Sequence, residues 1–136
     1  MLDPQTRPPR YRLPRSARLA RQRDYRRVFD ARCSAADGRL IVYAAANEAG
    51  LPRLGLAVPT RVGNAPARSR WRRLIREAFR LQQHDLPAGY DYVVIPRAGG
   101  QAPFDELRGS LRRLAQQAAA KFARKAAAEA DAPPQD

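Results

Sequence analysis

The sequence predicts a small α/β sandwich: a four-stranded mixed sheet and three helices in two layers, ordered α-β-β-β-α-β-α. Three observations carry this expectation. Residues 40–46 place Leu40, Val42 and Ala44 on one face of a strand and Ile41, Tyr43 and Ala45 on the other, larger apolar residues alternate with small ones in 53–58, and the continuous run Tyr92-Val-Val-Ile95 marks a further strand. Apolar residues recur every three or four residues in 71–79 and again in 104–122. Turn residues separate these stretches: Asp37-Gly38, Gly50 with Pro52, Pro87 with Gly89, and Gly99-Gly100. A length of 136 residues suits one domain, here expected to span 18–122 between a flexible basic arm (1–17) and a frayed tail (123–136).

Taken in order, residues 1–17 hold four prolines and the arginines Arg7, Arg10, Arg12 and Arg15, a composition that favours an extended arm. A short helix is expected over 20–31, with Tyr25, Val28 and Phe29 on one face. Core packing accounts for that aromatic pair at least as well as a site does. A short strand near Cys33 and a turn at Asp37-Gly38 form a hairpin with the strand 40–46. In 53–58, Leu54, Leu56 and Val58 alternate with Gly55 and Ala57, whose small size lets something approach the sheet closely. One sheet face is expected to be covered.

The stretch 63–82 is the most informative. Asn64 is a good helix N-cap, and Pro66 in the first turn loses little by lacking an N–H. Trp71, Leu74, Ile75, Ala78 and Phe79 form the apolar stripe of an amphipathic helix. At about 100° per residue, Arg68, Arg72, Arg76 and Arg80 form an i, i+4 column, with Ser69 and Arg73 beside it and Arg70 at the far edge of the stripe. Six arginines thus fall within the thirteen residues 68–80, against one acid, Glu77, placed to pair with Arg73. An ordinary solvated face mixes signs and uses lysine freely. This one reads as a surface for a polyanion, and nucleic acid is the favoured partner. A strand over 90–96 follows, then a final helix from Pro103 through Phe104, Leu107, Leu111, Leu114, Ala118 and Phe122.

The formal net charge of +13, with 24 of 26 basic residues arginine, supports the same partner, because the guanidinium fork binds phosphate bidentately and stacks on bases. No apolar run approaches the roughly 18 residues that cross a bilayer, so no membrane partner is expected. The N-terminus, with arginines but no apolar run behind them, does not read as a secretory signal. A single cysteine, Cys33, excludes an internal disulfide and a cysteine-based zinc site, and the cytoplasm is the default compartment. Catalytic groups are scarce. The only histidine, His84, lies in a polar connector, Cys33 has no partner in sequence, and Asp85, Asp91, Asp105 and Glu106 make no metal box. A free-standing nuclease is therefore disfavoured, and no metal ligand is assigned to the chain.

Four segments together resemble the bacterial ribonuclease P protein family: Arg53-Leu-Gly-Leu-Ala-Val58, Arg61-Val-Gly-Asn-Ala65, Arg68-Ser-Arg70 with Arg72-Arg73, and Arg76-Glu-Ala-Phe-Arg80. Asp24-Tyr-Arg-Arg-Val-Phe29, Tyr43 and Asp91-Tyr-Val-Val-Ile-Pro-Arg97 extend the likeness over about residues 12–120. The resemblance implies a left-handed β-α-β crossover around the arginine helix, where general rules favour a right-handed one. It implies an RNA-binding subunit of an endoribonuclease that removes the 5′ leader of precursor tRNA, with the active site and its magnesium ions in the RNA subunit. It further implies RNA-subunit contacts at Arg61, Arg68, Ser69, Arg70, Arg72, Arg73, Arg76 and Arg80, and a leader cleft at Tyr25, Phe29 and Tyr43. No obligate protein partner is implied. The chain departs from the family pattern at Ser69, normally asparagine, at Thr60-Arg61, normally two basic residues, and at Pro66 and Pro96. The alternative is a non-catalytic RNA-binding or ribosome-associated module of related fold.

Overall fold

The computed structural model describes residues 13–97 and 103–131. Its elements are α1 (Gln22–Ala31), β1 (Ser34–Ala36), β2 (Leu40–Ala46), β3 (Arg53–Leu56), α2 (Ala65–Gln82), β4 (Tyr90–Pro96) and α3 (Phe104–Asp131). The strands lie in the order β1-β2-β4-β3. β2 pairs antiparallel with β1 and β4, whereas β3 runs parallel to β4, so the sheet is mixed and α2 is the crossover between the two parallel strands.

Period-two alternation decides what each face carries. Leu40, Val42 and Ala44 of β2, Leu54 of β3, and Tyr92 and Val94 of β4 point into one core with α2 and α3. Ala45 and Val93 point the other way and are buried with Leu19 and Val28 beneath α1. The second face is therefore partly covered too, where the sequence reading expected one covered face. α1 is short, and its burial there is confined to a small cluster, so most of the core lies on the α2–α3 side.

The ends of the domain differ from expectation. Leu13 and Ala17, assigned to the arm, are buried at 2% and 5% exposure in the main core. A 3-10 turn over Arg15–Ala17 links them, and Arg18 forms a parallel bridge with Leu54, so the chain covers the open edge of β3 before α1 begins. Two apolar side chains spaced by one such turn were enough to dock a proline-rich stretch. The rest of the arm, 1–12, lies outside the described residues. At the other end, α3 continues to Asp131 through residues expected to fray. Lys121 donates to the carbonyl of Ser34 at 2.6 Å and Lys125 to that of Ala31 at 2.9 Å, and alanine, the best helix former, dominates the turn beyond Lys125. Residues 132–136 lie outside the described residues.

Two polar hubs tie the elements together. At the β1–β2 turn, Asp37 Oδ1 accepts from the N–H groups of Arg39 and Leu40 at 2.8 and 2.9 Å, and its Oδ2 accepts from Arg113 of α3 at 2.7 Å. Partial burial alone would raise the pKa of this carboxylate; the hydrogen bonds from Leu40, Ser110 and Arg39 and the charge of Arg113 outweigh it and lower the pKa. A carboxylate with a depressed folded-state pKa stabilises the fold above its unfolded value and loses that contribution as pH falls through the folded one. Denaturant midpoints of wild type and Asp37→Asn should therefore differ by a constant amount above about pH 5 and converge below about pH 4. A gap that stays constant into acid would show that Asp37's charge does not stabilise the turn.

The second hub is Asp91 on β4, fully buried. Arg53 grips it with two parallel bonds, Nε to Oδ1 and Nη2 to Oδ2, each 2.7 Å. Asn47 Nδ2 donates to Oδ1 at 2.8 Å, and Arg27 of α1 closes the set on Oδ2 while its Nη1 donates to the carbonyl of Ala46 at 2.6 Å. The hydrogen bond to Asp91 is also the main cause of the raised pKa of Arg53. One carboxylate thus joins α1, the β2–β3 loop, β3 and β4.

Candidate nucleic-acid interface

Everything about α2 follows from how it starts. Asn64 Oδ1 accepts from the N–H of Ala67 at 3.0 Å, and Pro66 sits in the first turn. Gly63 precedes the cap at φ 144°, and a Cβ there would lie 2.7 Å from that of Ala67, so the turn into the helix needs glycine. The helix then buries Trp71, Ile75, Ala78 and Phe79 against the sheet and α3, with Gln82 donating to the carbonyl of Arg108 at 2.9 Å. Leu74, expected in this stripe, is only half-buried.

That orientation turns the arginines outward. Ser69, Arg70, Arg73 and Arg76 are exposed, Arg68, Arg72 and Arg80 are half-buried, and Arg61 is exposed on the 3-10 turn Thr60–Val62 before the helix. Glu77 pairs with Arg80, Nε to Oε2 at 3.1 Å, rather than with Arg73 as the i, i+4 spacing suggested. Arg80 is half-buried beside the acid, while Arg73 points to solvent. No ion pair among the described residues reaches Arg61, Arg68, Arg70, Arg72, Arg73 or Arg76. The Nε of Arg68 is buried without a hydrogen-bond partner. Desolvation, then the neighbouring positive charges of Arg18 and Arg72, lower the pKa of Arg76 from the ordinary arginine value. This surface carries concentrated positive charge with almost no internal compensation.

The aromatic residues lie on the other face of the sheet, beside α1. Phe29 and Tyr43 meet edge to face, with centroids 5.0 Å apart and planes at 75°. Both are half-buried, each with part of its surface open to solvent. Tyr25 is placed differently. Its ring lies against Gly55, where a Cβ would come within 2.9 Å of Tyr25 Cε1 and of Leu19 Cδ1, so Tyr25 and Leu19 are what the small residue in β3 admits. The Tyr25 hydroxyl accepts from the N–H of Leu56 at 3.0 Å. Its phenol is thus committed to the backbone, and the residue as a whole is half-buried.

His84 is exposed in the 3-10 turn Gln83–Asp85, and Cys33 is buried with its thiol directed at the carbonyl of Ala31. Among the described residues no group of three His, Cys, Asp or Glu side chains is placed to hold a metal ion, and no helix is long and apolar enough to cross a membrane. Sequence reasoning missed the Asp91 hub and the position of Arg18 next to α2. Asp91 carried no signal beyond its place in a strand, and Arg18 was one arginine among many.

Comparison with known proteins agrees with this architecture. A family model described as Ribonuclease P matches residues 13–119. The ribonuclease P protein component of Photobacterium profundum is 44% identical over 101 residues, which is 74% of this chain and 86% of the relative. That of Clostridioides difficile is 35% identical over 102 residues, covering 74% and 90%. Among solved structures, the RNase P protein from Thermotoga maritima superposes with a TM-score of 0.67 at 31% identity, over 73% of this chain and 94% of that one. The RNase P protein of Staphylococcus aureus gives 0.64 at 27% identity, over 72% and 91%. With the family model spanning most of the domain and relatives matching over most of their length, the chain belongs to the bacterial ribonuclease P protein family, whose members work with the ribonuclease P RNA in processing precursor tRNA at its 5′ end.

Proposed function

We propose that the arginine face of α2 is the surface that binds the RNA subunit, and that the aromatic residues beside α1 receive the single-stranded 5′ leader of precursor tRNA. The observation that carries the first part is the uncompensated charge of Arg61, Arg68, Arg70, Arg72, Arg73 and Arg76 on one helix and the turn before it. Packed guanidinium groups repel one another, and RNA phosphates offset that repulsion while releasing bound counterions. Ser69 lies exposed within this face, where its hydroxyl can donate or accept one hydrogen bond. Arg80, already paired with Glu77, contributes mainly by its position at the end of the column.

The RNA subunit carries the active site in this reading. The described side chains make no set that fits a metal ion; magnesium is read as held mainly by RNA phosphates, and no step of the chemistry is assigned to a residue of this chain. The protein instead brings two polyanions together and holds the leader, acting in the cytoplasm. Half-open aromatic rings suit a sequence-tolerant single-strand groove, because every base has a face to stack.

Leader recognition has a direct test. In the assembled holoenzyme, Phe29→Ala and Tyr43→Ala should weaken binding of leader-bearing precursor tRNA by about 1–3 kcal/mol per lost stack and leave mature tRNA affinity nearly unchanged. Equal losses for both ligands would assign the Phe29–Tyr43 pair to core packing.

A further inference from the structure

The edge of the sheet and the arginine helix meet at Arg18. Its backbone bridges to Leu54 at the outer edge of β3, and its side chain reaches α2. There it lines, with Arg73 and Arg76, a groove of about 780 Å³ whose other walls are Leu13, Leu74 and Phe104. Glu77 also borders the groove, but its carboxylate is engaged with Arg80. The Nε of Arg18 is buried without a hydrogen-bond partner, so this guanidinium has donor capacity that the protein leaves unused.

The chemistry of the walls selects the ligand. A simple anion would use the arginines and ignore the apolar side, and an apolar peptide would leave three guanidinium groups unmatched. A nucleotide uses both, with phosphate on the guanidinium forks and a flat base on leucine and phenylalanine. The volume falls in the range of small-ligand sites. We propose that this groove is a nucleotide subsite, in which one unstacked nucleotide of bound RNA lays its base against Leu13, Leu74 and Phe104 and sets its phosphate on Arg18 and Arg76. The inference rests on the reading of α2 as an RNA surface and adds a defined single-nucleotide site on its flank. It also adjoins the second proposed surface, since Leu19, next in sequence to Arg18, lies with Tyr25 against Gly55.

Three variants of the full chain test it: Arg18→Gln, Arg18→Lys and Phe104→Leu, the last keeping an apolar side chain in the core while removing the ring. The probes for the free protein are the trinucleotide UUU and inorganic phosphate, followed by backbone amide NMR. UUU should shift Leu13, Arg18, Leu74 and Phe104 and bind about tenfold tighter than phosphate, and Phe104→Leu should abolish that advantage. Within RNA complexes, Arg18→Gln should weaken binding about tenfold and reduce the salt slope by about one, with Arg18→Lys largely restoring both. Losses against the RNA subunit alone identify a nucleotide of that RNA. Losses confined to leader-bearing precursor tRNA in the holoenzyme identify a leader nucleotide. Unchanged RNA binding in Arg18→Gln and Phe104→Leu, or a UUU affinity no better than phosphate, overturns the subsite. That failure is separable from failure of the underlying reading, because Arg68→Ala and Arg70→Ala would still weaken RNA-subunit binding.

Discussion

Replacing Arg68, Arg70 and Arg73 together with alanine should weaken the complex with the RNA subunit by about a hundredfold or more at physiological salt and flatten its salt dependence by about three counterions. The size follows from losing three charge-assisted phosphate contacts at once. The fold should survive. None of the three has an ion-pair partner among the described residues, so no acid is left unmatched, and removing like charges from one helix face lowers its self-repulsion. Thermal midpoints equal to or above wild type, with collapsed RNA affinity, are the expected pair of results. Binding and salt slope both at wild-type values would show the face to be only solvated.

Asp91→Ala should have the largest effect on stability. Removing the carboxylate leaves Arg27 and Arg53 facing each other across a site that is closed to water at its centre, and strips Asn47 of an acceptor. Breaking a buried ion pair from one side costs about 3–5 kcal/mol. Because the side chains of the arginines left behind are 39% and 24% exposed, the loss should fall at the lower end of that range, still a large share of the stability of a domain this size. Arg53→Ala should cost less, because Arg27 and Asn47 still engage the carboxylate. Chemical denaturation of the three proteins gives the order directly. A loss below about 1 kcal/mol for Asp91→Ala would mean the hub is not what holds α1 and β3 on β4.

The fold was largely legible because its signals are local and periodic. The strands at 40–46 and 90–96 have the bounds that alternation and turn residues indicated, and the Asn64 cap and Pro66 located the start of α2 within a residue. Strand β3 ends at Leu56, two residues short of the expectation: the N–H of Ala57 still bonds to Val94 at 3.1 Å, but the next donor in register, Pro96 of β4, has no N–H, and Pro59 cannot donate either. What stayed illegible depends on contacts between distant segments. Nothing near Leu13 or Ala17 says that they reach the core, and proline-rich composition argues against it. Asp91 looks like any strand acid until Arg27, Asn47 and Arg53 converge on it from three elements. The spacing of Glu77 favoured Arg73, and burial of Arg80 decided otherwise. The arginine surface was visible as a pattern, but the groove beside it needs Leu13, Arg18 and Phe104 brought together by the fold.

The central claim is that this chain assists a reaction whose active site is RNA. Cleavage of precursor tRNA by the protein alone, the RNA subunit alone and both together, at near-physiological salt and across a magnesium series, tests it most directly. The protein alone should be inactive at every magnesium concentration, since no described group of three His, Cys, Asp or Glu side chains is placed to hold a metal ion, the single histidine His84 is exposed in a connector, and the thiol of Cys33 is buried. Protein and RNA together should remove the 5′ leader efficiently, and high magnesium should partly replace the protein by screening the same phosphate repulsion. Sustained, nuclease-free cleavage by the protein without RNA would contradict the account.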